Sequence, residues 1–494
     1  MNTASLPPKV GLFPPLPNIT LTTIFRRIVP CMQLPTKTMA EWDDQIAEDG
    51  ESLERCPPGD AGWADTLNNF TVFWHQRFLE TDDIEDLDGA IELLRSLLNR
   101  HPANHPGRHL VLYLLARCLL NQYRKQGMLP DLEEAITLAR ATLDLRPEGH
   151  FYRSDSLHEL AVCLSDWYDE QGFIADLEEA ITLSRAALEL RPPGHSGHVV
   201  TLSNLANVLR SRFLNDGRNA DLDEAILLYR SVLDRCPEGH ANRSDSLHHL
   251  ALYLSDRYGK QGSIADLEEA ITLGRAALEL REPGHSDRAV TLSNLAEYLR
   301  CRFLEDGGNA DLDEAILLHR SALDLRPEGH ANRSGSLHHL ALCLSDRYDK
   351  QGSIADLEEA ITLDRAALEL RVPGHSDRAV SLSNLADDLR YRFLKDGGSA
   401  DLDEAILLHQ SALDLRPEGH PDRSHSLHDL ALCLSDRYDK YGSIADLEEA
   451  VTLGQAALTL RPPGHSNHAV TLHNVAHDLR QFLKVSGIGG RRSR

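Results

Sequence analysis

Aromatic residues make up only 5% of this 494-residue chain, and no run of about 18 apolar residues occurs in it. The second absence excludes a transmembrane helix. The first 40 residues also lack the charged n-region, continuous apolar stretch and cleavage site of a secretory signal. Basic charge is scarce: 51 Lys and Arg stand against 76 Asp and Glu, a formal net charge of −25. That balance keeps a long surface soluble and opposes non-specific binding to nucleic acid or anionic membrane. No Walker A loop and no Gly-x-Ser-x-Gly elbow is present, so neither a nucleotide switch nor that hydrolase site is expected.

What is present is a repeat. A histidine recurs at His105, His150, His195, His240, His285, His330, His375, His420 and His465, a constant step of 45 residues. A fixed period in this range marks a stacked-repeat solenoid, whose units share one core and need no internal domain boundary. In the unit that begins at His285, Val290, Leu292, Leu295, Ala296, Leu299 and Phe303 form one apolar stripe at the helical period. Gly307 and Gly308 then stop that helix. The second helix is expected to begin at Asp311, with Glu314 three residues on as an Asp form of the capping box. Leu312, Ala315, Ile316, Ala322, Leu323 and Leu325 make its core stripe, and Pro327 ends it.

Units alternate between two types, so similarity is strongest at 90 residues. One type carries Leu202-Ser203-Asn204-Leu205-Ala206 and Arg210–Phe213; the other carries Leu247–Ala251 and Leu254–Tyr258. Cys118, Cys163, Cys343 and Cys433 occupy one position of different units. Stacked helices lie about 8–10 Å apart, beyond disulfide reach, so the eight cysteines read as free thiols of a reducing, cytoplasmic compartment.

Five regions follow. Residues 1–40 hold seven prolines and no acid, reading as a disordered arm or docking segment, with a transit peptide also open. Residues 41–60 align with 221–240 as a degenerate capping half-repeat. Residues 61–465 are the array, 466–484 a terminal half-repeat helix, and 485–494 a flexible basic tail.

Leu160-Ala161, Ala180, Ala187 and Pro192 resemble the signature of the tetratricopeptide repeat. The extra length and the loop histidine resemble the long repeats of kinesin light chains. The wording DLDEAI…LRPxGH resembles repeat arrays of fungal proteins that carry a caspase-like CHAT domain or sit in NLR-type receptors. The resemblance implies an all-α, right-handed superhelical solenoid of about nine helical hairpins, with half-unit caps. It also implies a concave groove lined by first helices that binds peptides or partner domains. The expected function is therefore a non-enzymatic interaction scaffold. The alternative is the sensor or regulatory arm of a CHAT-type peptidase or NLR-like receptor whose effector lies elsewhere.

In the first helix, the residue before the Leu-small pair sits about 200° from the stripe centre and should point away from the core. The row runs Asn69, Leu114, Glu159, Asn204, His249, Asn294, His339, Asn384, Asp429, Asn474. An asparagine amide donates and accepts, matching an extended backbone, and the resemblance gives such an Asn that role. The candidate partner-binding set is Asn204, His249, Asn294, His339, Asn384 and Asn474, with Arg210, Arg300 and Arg390 at the rim. The bland alternatives are exposed polar residues copied with the unit and, for the arginines, ion pairs to acidic second helices. Val200, Val290 and Val380 stand where a carboxylate clamp needs a basic residue.

The loop histidines read as turn builders through backbone hydrogen bonds. Successive ones belong to different units, which opposes a compact metal site. His473 and His477 share a helix face, but Asn474 replaces the metalloprotease glutamate and no third ligand is evident. No cofactor, metal or catalytic residue is expected.

Overall fold

The computed structural model describes residues 84–100, 105, 107–240 and 242–485. The proline-rich arm, the half-repeat at 41–60, Asn69 and the tail from 486 lie outside the described residues. By contact the chain separates at 287/288 into two compact units.

The first unit holds α1 (Ile84–Arg100), α2 (Arg108–Gln126), α3 (Leu129–Asp144), α4 (Arg153–Gln171), α5 (Ile174–Glu189), α6 (His198–Asp216), α7 (Asn219–Asp234), α8 (Arg243–Gln261) and α9 (Ile264–Leu280). The second holds α10 (Arg288–Asp306), α11 (Asn309–Asp324), α12 (Arg333–Gln351), α13 (Ile354–Leu370), α14 (Arg378–Asp396), α15 (Ser399–Asp414), α16 (Arg423–Tyr441), α17 (Ile444–Leu460) and α18 (His468–Val485). Every described element is a helix, and within each compact unit a helix packs most heavily on its hairpin partner and then on the neighbouring hairpin. Within each unit the architecture is an all-α solenoid. Successive first helices touch one another, as α2 touches α4 and α12 touches α14.

The apolar stripe behaves as its period requires. Leu292, Leu295, Ala296, Leu299 and Phe303 are buried on α10, and Leu312, Ala315, Ile316 and Ala322 on α11. Each fully buried Leu contributes about 1.5–3 kcal/mol. Gly307 takes the left-handed conformation (φ 73°) and its N–H donates to Phe303 O at 2.7 Å, ending α10. The six described cysteines are free thiols, five of them buried.

Two expectations for the second helix are corrected. It starts at Asn309, not Asp311, so Asp311 lies in the first turn and makes no capping box. Its carboxylate instead takes a bidentate pair from Arg302, nine residues back, at 2.6 and 2.7 Å. The same clamp joins Arg212 to Asp221, Arg257 to Asp266, Arg347 to Asp356, Arg392 to Asp401 and Arg437 to Asp446. Glu134, Glu179, Glu224, Glu269, Glu359 and Glu404 receive an arginine from the preceding second helix, as in Arg140–Glu179 at 2.7 Å.

The second correction lies at the helix end. Leu325 is 43% exposed whereas Arg326 is 6% exposed, because α11 ends at Asp324 and the 3.6-residue period stops applying there. The buried guanidinium donates to Ser293 Oγ at 3.1 Å and to Ser336 Oγ in the first turn of α12. The carbonyl of Arg326 meanwhile accepts from Arg333. Arg146, Arg191, Arg281, Arg371, Arg416 and Arg461 repeat the arrangement; Arg191 and Arg461 reach Thr201 and Thr471 at 2.6 Å. Only position 236 differs among the described turns, where a buried Cys faces Ser246. The loop histidines complete the turn as expected. Each Nδ1 accepts the backbone N–H two residues on, from His105 (3.1 Å) to His330 (3.1 Å) and His465 (3.2 Å).

Removing one buried guanidinium strips several charge-assisted bonds from a turn. Arg326→Ala should destabilise the α11–α12 junction by about 2–4 kcal/mol, and Arg326→Cys, which copies position 236, by less. Hydrogen exchange of the amides around 326–340 would read the loss locally, which suits a repeat array that need not unfold in one step.

Candidate partner-binding face

The first helices carry the candidate row, and their neighbours decide what it does. On α6, Asn204 is half-buried with its Nδ2 3.2 Å from Nε2 of His158 on α4. On α14, Asn384 repeats this against His338 of α12 at 3.4 Å. His339 is half-buried, its Nδ1 3.9 Å from Glu297, and Asn474 is half-buried on α18. His249, by contrast, is 2% exposed and stacked on Tyr229 with ring centroids 5.3 Å apart, and Asn294 is also buried. The row therefore does not simply face outward. A first helix is flanked by two other first helices as well as by second helices, so its far side is covered too.

Arg210, Arg300 and Arg390 are all ion-paired, but not to second helices. Their Nε atoms meet Asp256, Asp346 and Asp436 on the next first helix of the same unit, each at 2.5 Å. Arg300 is buried, and its Nη1 also lies 3.2 Å from Glu297. Burial opposes its charge, yet Asp346 and Glu297 outweigh that and raise its pKa well above the usual guanidinium value. Within each compact unit these arginines tie neighbouring hairpins together through their first helices. On α18 the pair His473 and His477 is exposed.

Sequence reasoning missed a polar junction where a first helix, its second helix and the next first helix meet. The second-helix member is Tyr229, His319 or His409, all buried, at 90-residue steps. In the α14–α15–α16 junction the ligating atoms of Asp387, His409 and Asp429 lie within 4.8 Å of one another. In the α10–α11–α12 junction His319 stacks on His339 at 5.8 Å, with Glu297 alongside. The signal was present as polar residues at apolar-looking positions of every second unit. The Asn/His row shows only the first-helix side, and two of each three partners lie on other helices.

His158 offers a check on this burial. Burial, then Arg191, Arg117 and Arg124, push its pKa down to about 3, against an ordinary value near 6.5. Below about pH 6.5 the unfolded chain takes up a proton that the folded chain refuses, so acid favours unfolding there. Hydrogen-exchange protection of α4 should fall as pH drops from about 6.5 toward 4, and His158→Gln should flatten that slope.

Residues 199–241 and 243–287 match the tetratricopeptide repeat model. No curated protein matches the chain. Human IFIT1, solved as a dimer with PPP-AAAA, is similar at a TM-score of 0.42 and 14% identity, over 90% of this chain and 97% of that one. A putative kinesin light chain of Podosopora anserina with nearly identical TPR-like repeats is similar at a TM-score of 0.34 and 21% identity, over 45% of this chain and 100% of that one. The two matched units are tetratricopeptide repeats by that model, and the described helical hairpins before and after them keep the same 45-residue register.

Proposed function

We propose that this protein is a non-enzymatic, cytoplasmic interaction scaffold that holds an extended peptide or protein partner along the face formed by its first helices. The observation that supports this most is the half-buried polar row itself. Asn204, His339, Asn384 and Asn474 recur in register, each on the first helix of its hairpin. Arg210 and Arg390 flank them, with side chains 21% and 19% exposed and already locked by Asp256 and Asp436. Side chains held in one geometry before binding lose little entropy on binding, which is what a repeated backbone-reading surface needs. His249, Asn294 and Arg300 lie deeper and act as supports for that surface. The charge of −25 sets the face against polyanions and in favour of neutral or basic protein segments. No described helix is long and apolar enough to cross a membrane.

The test compares two faces with one partner. A partner captured on the purified chain is titrated against the wild type, against Asn384→Ala/Asn474→Ala, and against Leu317→Ser on the exposed side of α11 in the same compact unit. Two lost amide contacts should weaken binding about tenfold, while Leu317→Ser leaves it unchanged. Loss with Leu317→Ser and retention with the Asn pair would move the binding face to the second helices.

A further inference from the structure

We propose that the three-helix junction is a binding site for a divalent transition-metal ion, held by Asp387, His409 and Asp429 and, 90 residues earlier, by Glu297, His319 and His339. Each ligand of a site comes from a different helix: α14, α15 and α16 in one, α10, α11 and α12 in the other. The register is the same in both, and both lie within one compact unit.

The first set is already nearly assembled. Its ligating atoms lie within 4.8 Å of one another, and His409 Nε2 is 3.6 Å from Asp387 Oδ1. Ligands bonded to one ion at about 2.0–2.2 Å stand roughly 3 Å apart, so modest side-chain rotation closes the site. His409 is 0% exposed, while Asp387 and Asp429 are half-buried and give an ion a way in from the first-helix face. Two carboxylates and one neutral imidazole match the charge of a divalent ion.

The second set supplies an independent observation. His319 is 1% exposed and neither ring nitrogen has a hydrogen-bond partner, and His339 Nδ1 and Glu297 Oε2 are likewise buried without one. His339 Nδ1 and Glu297 Oε2 stand 3.9 Å apart. Burying a polar atom without a partner costs about 1–3 kcal/mol, and the lone pairs of Glu297 Oε2 and of one His319 ring nitrogen in this junction call for a ligand that accepts them. A metal ion does so once these side chains, which stand further apart than the first set and hold their two rings parallel at 5.8 Å, turn toward it. Two imidazoles with one carboxylate are a set that such ions favour. Arg300 competes for Glu297, but through the other oxygen, Oε1 at 3.2 Å.

The same register in the first unit shows the junction built differently. Tyr229 replaces the histidine and Asn207 the carboxylate, and the Tyr229 hydroxyl donates to Asn207 Oδ1 at 3.0 Å. A neutral donor there meets a neutral acceptor. It also provides a replacement the fold already accommodates.

The full chain, freed of metal with chelator, is titrated with Co²⁺ alone and followed by its d–d absorption, with Zn²⁺ competition as a second readout. Wild type should show two saturable sites displaced by Zn²⁺. His409→Tyr should remove one, His319→Tyr the other, and the double variant both, with helical circular dichroism unchanged. Should a Tyr variant lose that signal, Asp387→Asn/Asp429→Asn and Glu297→Gln replace it and must remove the same sites. A wild type that takes up no Co²⁺ at millimolar concentration overturns the proposal. So does a double variant that binds as much as wild type, since the ions would then sit elsewhere among the 25 histidines and 76 acids.

Discussion

A guanidinium buried at the foot of almost every described second helix is the constraint on which the array depends. An arginine taken out of water is costly unless its donors are met, so the turn around it has little latitude. At Arg326 the donors reach the hydroxyls of Ser293 and Ser336, one on the first helix behind and one on the first helix ahead. At Arg281 the buried partner is Asp245, 2.7 Å away, and the backbone of Asp287 at 3.2 Å. Within a compact unit, such an arginine therefore sets where the next first helix starts relative to the last. The 45-residue period of the sequence is the period of this contact as much as of the apolar stripe.

Around that fixed turn, a second set of pairs holds the hairpin. The Arg–Asp clamp nine residues apart ties the end of a first helix to the start of its own second helix. The same guanidinium often reaches back to the preceding second helix, as Arg347 does to Asp313 at 3.0 Å. These pairs are partly solvated and each is worth little alone. Their regularity supplies register: a hairpin displaced by a turn would leave every clamp unmade. On the first helices Arg210, Arg300 and Arg390 do the same between neighbouring hairpins of one compact unit.

The two-unit alternation acquires a structural meaning at the junctions. In the described array the second-helix position holds Leu94, Ala139, Ser184, Tyr229, Gly274, His319, Asp364, His409 and Gly454. From Ser184 on, the large polar residues Tyr229, His319 and His409 fall in one unit type and mostly small ones in the other. His338 reaches Asp364 at 3.1 Å, so even a small-type junction can be filled from the neighbouring helix. The Asn/His row is one wall of these junctions, and its composition answers to their volume and charge as well as to any partner.

The local features were legible because their causes are local. Gly307 stops a helix because only its own backbone must turn left-handed, and the loop histidine bonds an amide two residues away. The Asp-x-x-Glu motif misled because an acid in a first turn looks the same in sequence whether it caps the helix or pairs with Arg302. Leu325 misled because an apolar residue just past a helix end is still counted on the helical period. By itself the sequence determined the period, the helix pairs, their stops and their apolar stripes, all set by spacings of a few residues. Only the tertiary structure decided that Arg326 is buried, that Arg300 pairs with Asp346, and that Asp387, His409 and Asp429 meet. Those depend on side chains from different helices, and their cost or gain exists only once the helices are packed.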